Sequence, residues 1–184
     1  MESKRSVSAT LAAVFAALYA VGVLVLAPIS FHAFQVRVAD ALLPLAILFG
    51  WPAIIGLAIG ALVANVFGGL GPIDIVGGSL ANLAAGYVAW RVTLNRGRSW
   101  IFAAVGLQVL IVTLVVGTYL SYLFAMPLEI GWVAVMVGSI VAIGFLGSVL
   151  LHATSSQRIV MLLTGRGITV YGRQTGARKH PTKE

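Results

Sequence analysis

Between residues 35 and 40 the chain places an amide, a guanidinium and a carboxylate, Gln35, Arg37 and Asp40, directly ahead of an apolar run. Such a trio can bind a polar ligand through charge-assisted hydrogen bonds, the cation taking a carbonyl or anion and the acid taking N–H donors. Arg37 and Asp40, three apart, can equally form a surface ion pair. Further on, Asp74, Gly78, Asn82 and Gly86 recur every four residues, so on a helix they share one face, with Ser79 at its edge. A carboxylate and an amide aimed at a bundle interior need partners there. Pro72 suits a first helical position, however, and thereby also places Asp74 where a carboxylate stabilises a helix N-terminus.

A third set lies on a long apolar run. Gln108, Tyr119 and Tyr122 fall near one of its faces, Thr118 and Ser121 stand near its outer end, and Glu129 and Trp132 follow. Tyr119, Tyr122 and Trp132 can form a stacking wall for a flat ligand or an aromatic belt at a membrane surface. The three histidines, His32, His152 and His180, are far apart and show no metal spacing, and cysteine is absent. No HExxH, Walker or GxSxG pattern occurs. An enzyme acting within the membrane would need an acid, nucleophile or metal cluster there, and the sequence shows none. These polar residues are suited to binding and orienting.

The elements that position them are membrane helices. Sixty per cent of the 184 residues are hydrophobic and only 9% are charged, with a mean hydropathy of +1.02, which leaves too little polar surface to cover a soluble globule. The pattern predicts an all-α membrane domain over residues 1–164 with helices at about 7–27, 39–50, 53–67, 73–92, 100–124 and 132–153, and a basic tail over 165–184 expected to be mobile. The first run is too long for a signal-peptide core and reads as a retained span. Gly68–Pro72 and Met126–Gly131 read as turns. The runs 39–50 and 53–67, divided by Gly50-Trp51-Pro52, are short. They fit either two brief crossings or a re-entrant hairpin.

A net charge of +7 suggests nucleic acid only if the basic residues cluster on one folded face, and here they occupy the gaps between apolar runs. With both termini cytoplasmic and six crossings, Lys4, Arg5, Arg91, Arg96, Arg98, Arg158, Arg166, Arg173, Arg178, Lys179 and Lys183 lie inside. Of the 12 basic residues only Arg37 is then outside, as the positive-inside rule favours. Asp40, Asp74 and Glu129 lie near the outer surface. In the first helix, Ala9, Ala13 and Ala17, with Ala12, Ala16 and Ala20 beside them, make a stripe of small residues that allows close helix approach. That approach is either internal packing or docking onto a membrane partner.

The stretch Ala27–Gly86 resembles the queuosine-precursor transporter (QueT) family, substrate-binding S components of energy-coupling factor (ECF) transporters. The resemblance lies in Pro28-Ile29-Ser30-Phe31, in the Gln-x-Arg-x-x-acid-Ala-Leu pattern of Gln35–Leu42, in Ala64-Asn65 and in Asp74–Ala81. It implies a six-helix S component in the cell membrane that captures a 7-deazaguanine such as preQ1 at the outer face. It also implies a transmembrane coupling subunit gripped through Ala9, Ala13 and Ala17, and two ATPase subunits that use ATP, with no cofactor in this chain and no nucleic-acid partner. Gln35, Arg37, Asp40, Asn65, Asp74, Ser79, Asn82, Gln108, Tyr119, Tyr122, Glu129 and Trp132 are the candidate ligand groups. Asp40 stands where the family pattern suggests glutamate, Asn82 where it suggests threonine, and Ser139 where an acid is common, so a neutral ligand, another vitamin or a related nucleobase is the alternative. An assembly subunit acting only through the alanine stripe is a further one.

Overall fold

A computed structural model of the chain describes residues 2–32 and 35–171, with side chains from residue 5 onward. Its elements are helical: α1 (Glu2–Val25), α2 (Val38–Phe49), α3 (Trp51–Gly68), α4 (Pro72–Thr93), α5 (Trp100–Leu123), α6 (Leu128–Thr154) and α7 (Gln157–Gly165). Between α1 and α2 lies a single helical turn, Ala27–Ser30. The chain runs along the bundle in α1 to α6. One end therefore carries the α2–α3 and α4–α5 connections, and the opposite end carries the α3–α4 and α5–α6 connections. The first, with Arg91, Arg96, Arg98 and Arg158, is the basic end; Asp74 and Glu129 start their helices at the other.

Four passes are long and apolar enough to cross a membrane, namely α3, α5, α6 and Arg5–Val25 within α1. The remaining two, α2 and α4, carry the buried acids. α4 has the length, but Asp74, Asn82 and Arg91 dilute its hydropathy. α2 is brief, and eight of its residues, Val38–Leu45, are a 3-10 helix. A 3-10 helix rises about 2.0 Å per residue against about 1.5 Å in an α-helix, so α2 reaches further than its length suggests.

α2 is also the most enclosed element. Leu43 and Ala46 are fully buried, and Ala39, Asp40 and Pro44 through Phe49 are nearly so. It packs against α1, α3, α4, α5 and α6, as a helix apolar on all sides must. Its principal neighbour is a π-helical stretch of α6, Ile140–Gly147. Gly147 lets the two irregular helices touch, since a Cβ there would stand 2.8 Å from Pro44 Cγ. Gly50, at φ +60°, turns the chain from α2 into α3. This turn rests against Trp90 and Tyr171 beside Arg91.

Several boundaries differ from the sequence expectation. Trp51-Pro52 opens α3, because proline suits the first turn of a helix, and the connection is Gly50 alone. Helix α6 begins at Leu128 within the expected turn Met126–Gly131, Pro127 supplying its N-cap. α7 is an additional short helix with no buried residue. Of the expected mobile tail, residues 172–184 lie outside the described residues.

The alanines of α1 divide into two faces. Ala12 and Ala16 meet α3 at Gly56 and Gly60, where added Cβ atoms would press on their carbonyl oxygens, the close approach that small residues four apart permit in lipid. Ala9, Ala13 and Ala17 point away and are exposed. Gly60→Val is therefore expected to lower the melting temperature in detergent, since overpacking costs about 1–3 kcal/mol. Gly106→Ala, whose Cβ would meet nothing within 4 Å, is expected to hold or raise it by up to about 1 kcal/mol. Equal melting temperatures for the two variants would contradict this packing.

Candidate ligand-binding site

Nearest the end opposite the basic one, five passes turn polar groups toward one another. Arg37, at the entrance to α2, is only 6% exposed, and Asp74, in the first turn of α4, is fully buried. Gly78 shapes the space between them. Its missing side chain leaves room for Asn65, for Tyr119 Oη and for Arg37 Nη1, which would lie 3.4 Å and 3.6 Å respectively from a Cβ at that position. The four-residue spacing of Asp74, Gly78 and Asn82 thus presents one interior face, all three being buried.

The hydrogen bonds that hold this cluster are few and mostly positional. Tyr119 Oη donates to Asp74 Oδ1 at 2.8 Å, Asn65 Nδ2 donates to the Asp74 carbonyl at 2.8 Å, and Tyr19 Oη donates to Asp40 Oδ1. Gln108 Nε2 donates to the Leu43 carbonyl at 2.9 Å and so ties α5 to α2. Asp74 makes no side-chain cap bond at its helix N-terminus, so its carboxylate faces the interior instead of its own backbone.

Much hydrogen-bonding capacity is left over. Arg37 Nε and Nη2, Asp74 Oδ2, Asn82 Nδ2, Asn65 Oδ1, Gln35 Oε1, Gln108 Oε1 and Thr113 Oγ1 are buried without a partner. Buried polar groups are ordinarily paired, and each orphan costs about 1–3 kcal/mol. A guanidinium is always charged, which makes Arg37 the most costly of them. The cation also stands 5.7 Å from the centroid of Phe31, a contact that partly offsets its burial. Orphaned donors and acceptors of both kinds, concentrated in one place, are what a polar ligand would satisfy. The cavity bounded by Gln35, Arg37, Asp40, Asn82 and Ser139 measures about 10 Å³, room for one water at most, so a larger guest requires the surrounding helices to part.

The structure brings Gln35, Arg37, Asp40, Asn65, Asp74, Asn82 and Tyr119 together, with Gln108 one layer deeper. It separates four other candidates from them. Tyr122, in the last turn of α5, is 77% exposed. Glu129 is exposed on the first turn of α6. Trp132 donates from Nε1 to Thr118 Oγ1 at 2.9 Å, outside the cluster. Ser79 donates to the Ala58 carbonyl at 2.9 Å and clamps α4 to α3.

One member was not singled out in the sequence. Tyr19 had a usable signal, since it is the one hydroxyl-bearing residue between Thr10 and Val25 and a tyrosine inside a membrane helix needs an acceptor. Among the described residues, no group of three His, Asp or Glu could hold a metal ion.

The bundle thus holds an enclosed, incompletely paired polar cage among apolar helices. Residues 9–156 match the family described as QueT transporter, and the chain belongs to that family. No curated protein and no solved structure matches it significantly.

Tyr19→Phe is expected to lower stability by about 1–3 kcal/mol, because it strips Asp40 Oδ1 of its donor in a buried setting. Tyr122→Phe, at an exposed position, is expected to leave stability unchanged. Denaturant unfolding in detergent checks both, and equal losses would contradict the placement of Tyr19 in the cage.

Proposed function

We propose that this chain is the substrate-binding S component of an ECF importer, and that its cage binds a queuosine precursor, a 7-deazaguanine such as preQ1. Membership of a transporter family supports the class. The observation that carries the ligand reading is the buried guanidinium of Arg37 with unpartnered N–H groups, flanked by the carboxylates of Asp40 and Asp74. A deazaguanine offers adjacent ring and amino N–H donors, which a carboxylate accepts in a paired geometry, and a carbonyl, which a guanidinium or amide donates to. Asp74 Oδ2 suits the donors, while Arg37 Nη2 and Asn82 Nδ2 suit the carbonyl. Asp40, the second acid, suits an aminomethyl cation. The ring face would lie against Tyr119. The side chains bind and orient, and no bond is made or broken in this chain.

The basic end is cytoplasmic on this reading and the cage opens outward. The chain crosses the cell membrane six times, with α2 and α4 crossing despite their lower hydropathy because they are enclosed by the other helices. The exposed alanines Ala9, Ala13 and Ala17 form the docking face for the transmembrane coupling subunit. Two ATPase subunits supply the energy from ATP.

Calorimetric titration of the purified protein with preQ1 tests the ligand reading. Saturable binding is expected, weakened about 10- to 100-fold by Asp74→Asn or Arg37→Gln, the size of one lost charge-assisted bond. Absence of saturable binding by any deazapurine would overturn it. Ala13→Leu is expected to abolish co-purification of the coupling subunit without altering preQ1 affinity, and an intact complex would return that face to lipid contact. Single cysteines placed at Gly97 and Glu129 in this cysteine-free chain are expected to react with a membrane-impermeant maleimide only at position 129 in intact cells. Labelling at position 97 instead would invert the topology.

A further inference from the structure

A cavity of about 310 Å³ lies at the basic end, away from the polar cage. Its inner walls are apolar, formed by Ile47, Ile101, Val105 and Leu151, and its rim carries Arg96, Arg98 and His152. The two guanidinium groups are held in place. The Arg96 guanidinium stacks 4.2 Å from the centroid of Trp100, and Arg98 Nη2 lies 3.3 Å from His152 Nδ1, joining the α4–α5 connection to α6. The Arg98–His152 contact pairs one basic group with another. Among the side chains described, the carboxylates are Asp40, Asp74 and Glu129, and none lines this cavity.

Exposed apolar side chains border the mouth. α7 borders it through Val160 and exposes Ile159, Met161 and Leu162 while Gln157 and Arg158 remain polar, a short helix with an apolar side free to lie in the interface. Tyr171, also lining the cavity, closes the adjoining end of α2 by donating its backbone N–H to the Leu48 carbonyl at 2.7 Å. An apolar slot beneath a rim of positioned cations matches an amphiphile with an anionic head and a hydrocarbon chain.

We propose that this cavity is a binding site for one anionic phospholipid, its phosphate held by Arg96 and Arg98 at the rim and an acyl chain lying between α5 and α6. The site is independent of the transported ligand, and its failure would leave the cage reading untouched.

Native mass spectrometry of the detergent-purified chain with added phosphatidylglycerol or phosphatidylcholine tests it. One tightly retained phosphatidylglycerol is expected, favoured about tenfold or more over phosphatidylcholine, as two cations facing an anionic head require. The preference is expected to vanish in Arg96→Gln/Arg98→Gln and to persist in Arg158→Gln and Arg166→Gln, basic positions outside the lining. Val105→Phe, which fills the apolar slot and leaves the cations in place, is expected to reduce retention, and cooperative thermal unfolding in detergent reports that each variant is folded. Equal retention of the two lipids, an unaltered preference in the double variant, or displacement of the lipid by inorganic phosphate at matched concentration would each overturn the proposal.

Discussion

A guanidinium buried in a helical bundle is the interaction on which this structure turns. Arg37 sits where water is nearly excluded, and a buried charge is tolerated only when opposite charge and hydrogen bonds surround it. Asp40 follows it on α2, and Asp74 enters from α4. Tyrosines from α1 and α5 then hold one oxygen of each acid. Four helices are thereby committed to one polar centre that none could sustain alone. The centre is still incompletely satisfied, with Arg37 Nε and Nη2, Asp74 Oδ2 and Asn82 Nδ2 left unpaired in it.

Holding that centre shapes the rest of the fold. α2 must deliver Arg37 and Asp40 to one end and still reach the Gly50 turn at the other, and its 3-10 winding supplies the length. Its irregular surface is met by the π stretch of α6, a local widening that often accompanies functional sites. Glycines bring the backbones close where side chains must converge, at Gly78 beside the cage and at Gly56 and Gly60 beneath α1. With Ala12 and Ala16 used internally, the outward alanines of α1 are left as a flat face of a kind suited to another helix.

Most of the architecture was legible in the sequence. Apolar runs located each pass, and the Gly-rich connection before Pro72 marked its turn correctly because Gly69 and Gly71 adopt positive φ. The four-residue spacing of Asp74, Gly78 and Asn82 identified a buried face for a physical reason, since those small or polar residues have no place against lipid. Periodicity does less well where a helix departs from 3.6 residues per turn or ends nearby. It could not reveal the 3-10 and π segments, and it placed Tyr122 beside Tyr119 although Tyr122, in the last turn of α5, is exposed. Tyr19 was missed because a lone tyrosine among alanines and leucines reads as core. The cavity at the basic end was invisible for another reason, as it is assembled from three separate segments, 47–48, 93–105 and 148–171.

The central claim, that the unpaired atoms around Arg37 receive the transported molecule, is tested most directly by determining the structure with preQ1 bound. The account predicts the base between α2, α4 and α5, with Arg37 and Asp74 at hydrogen-bond distances of about 2.7–3.2 Å from it and the helices parted to admit it. A base found elsewhere, with Arg37 Nη2 and Asp74 Oδ2 still unpartnered, would contradict the account.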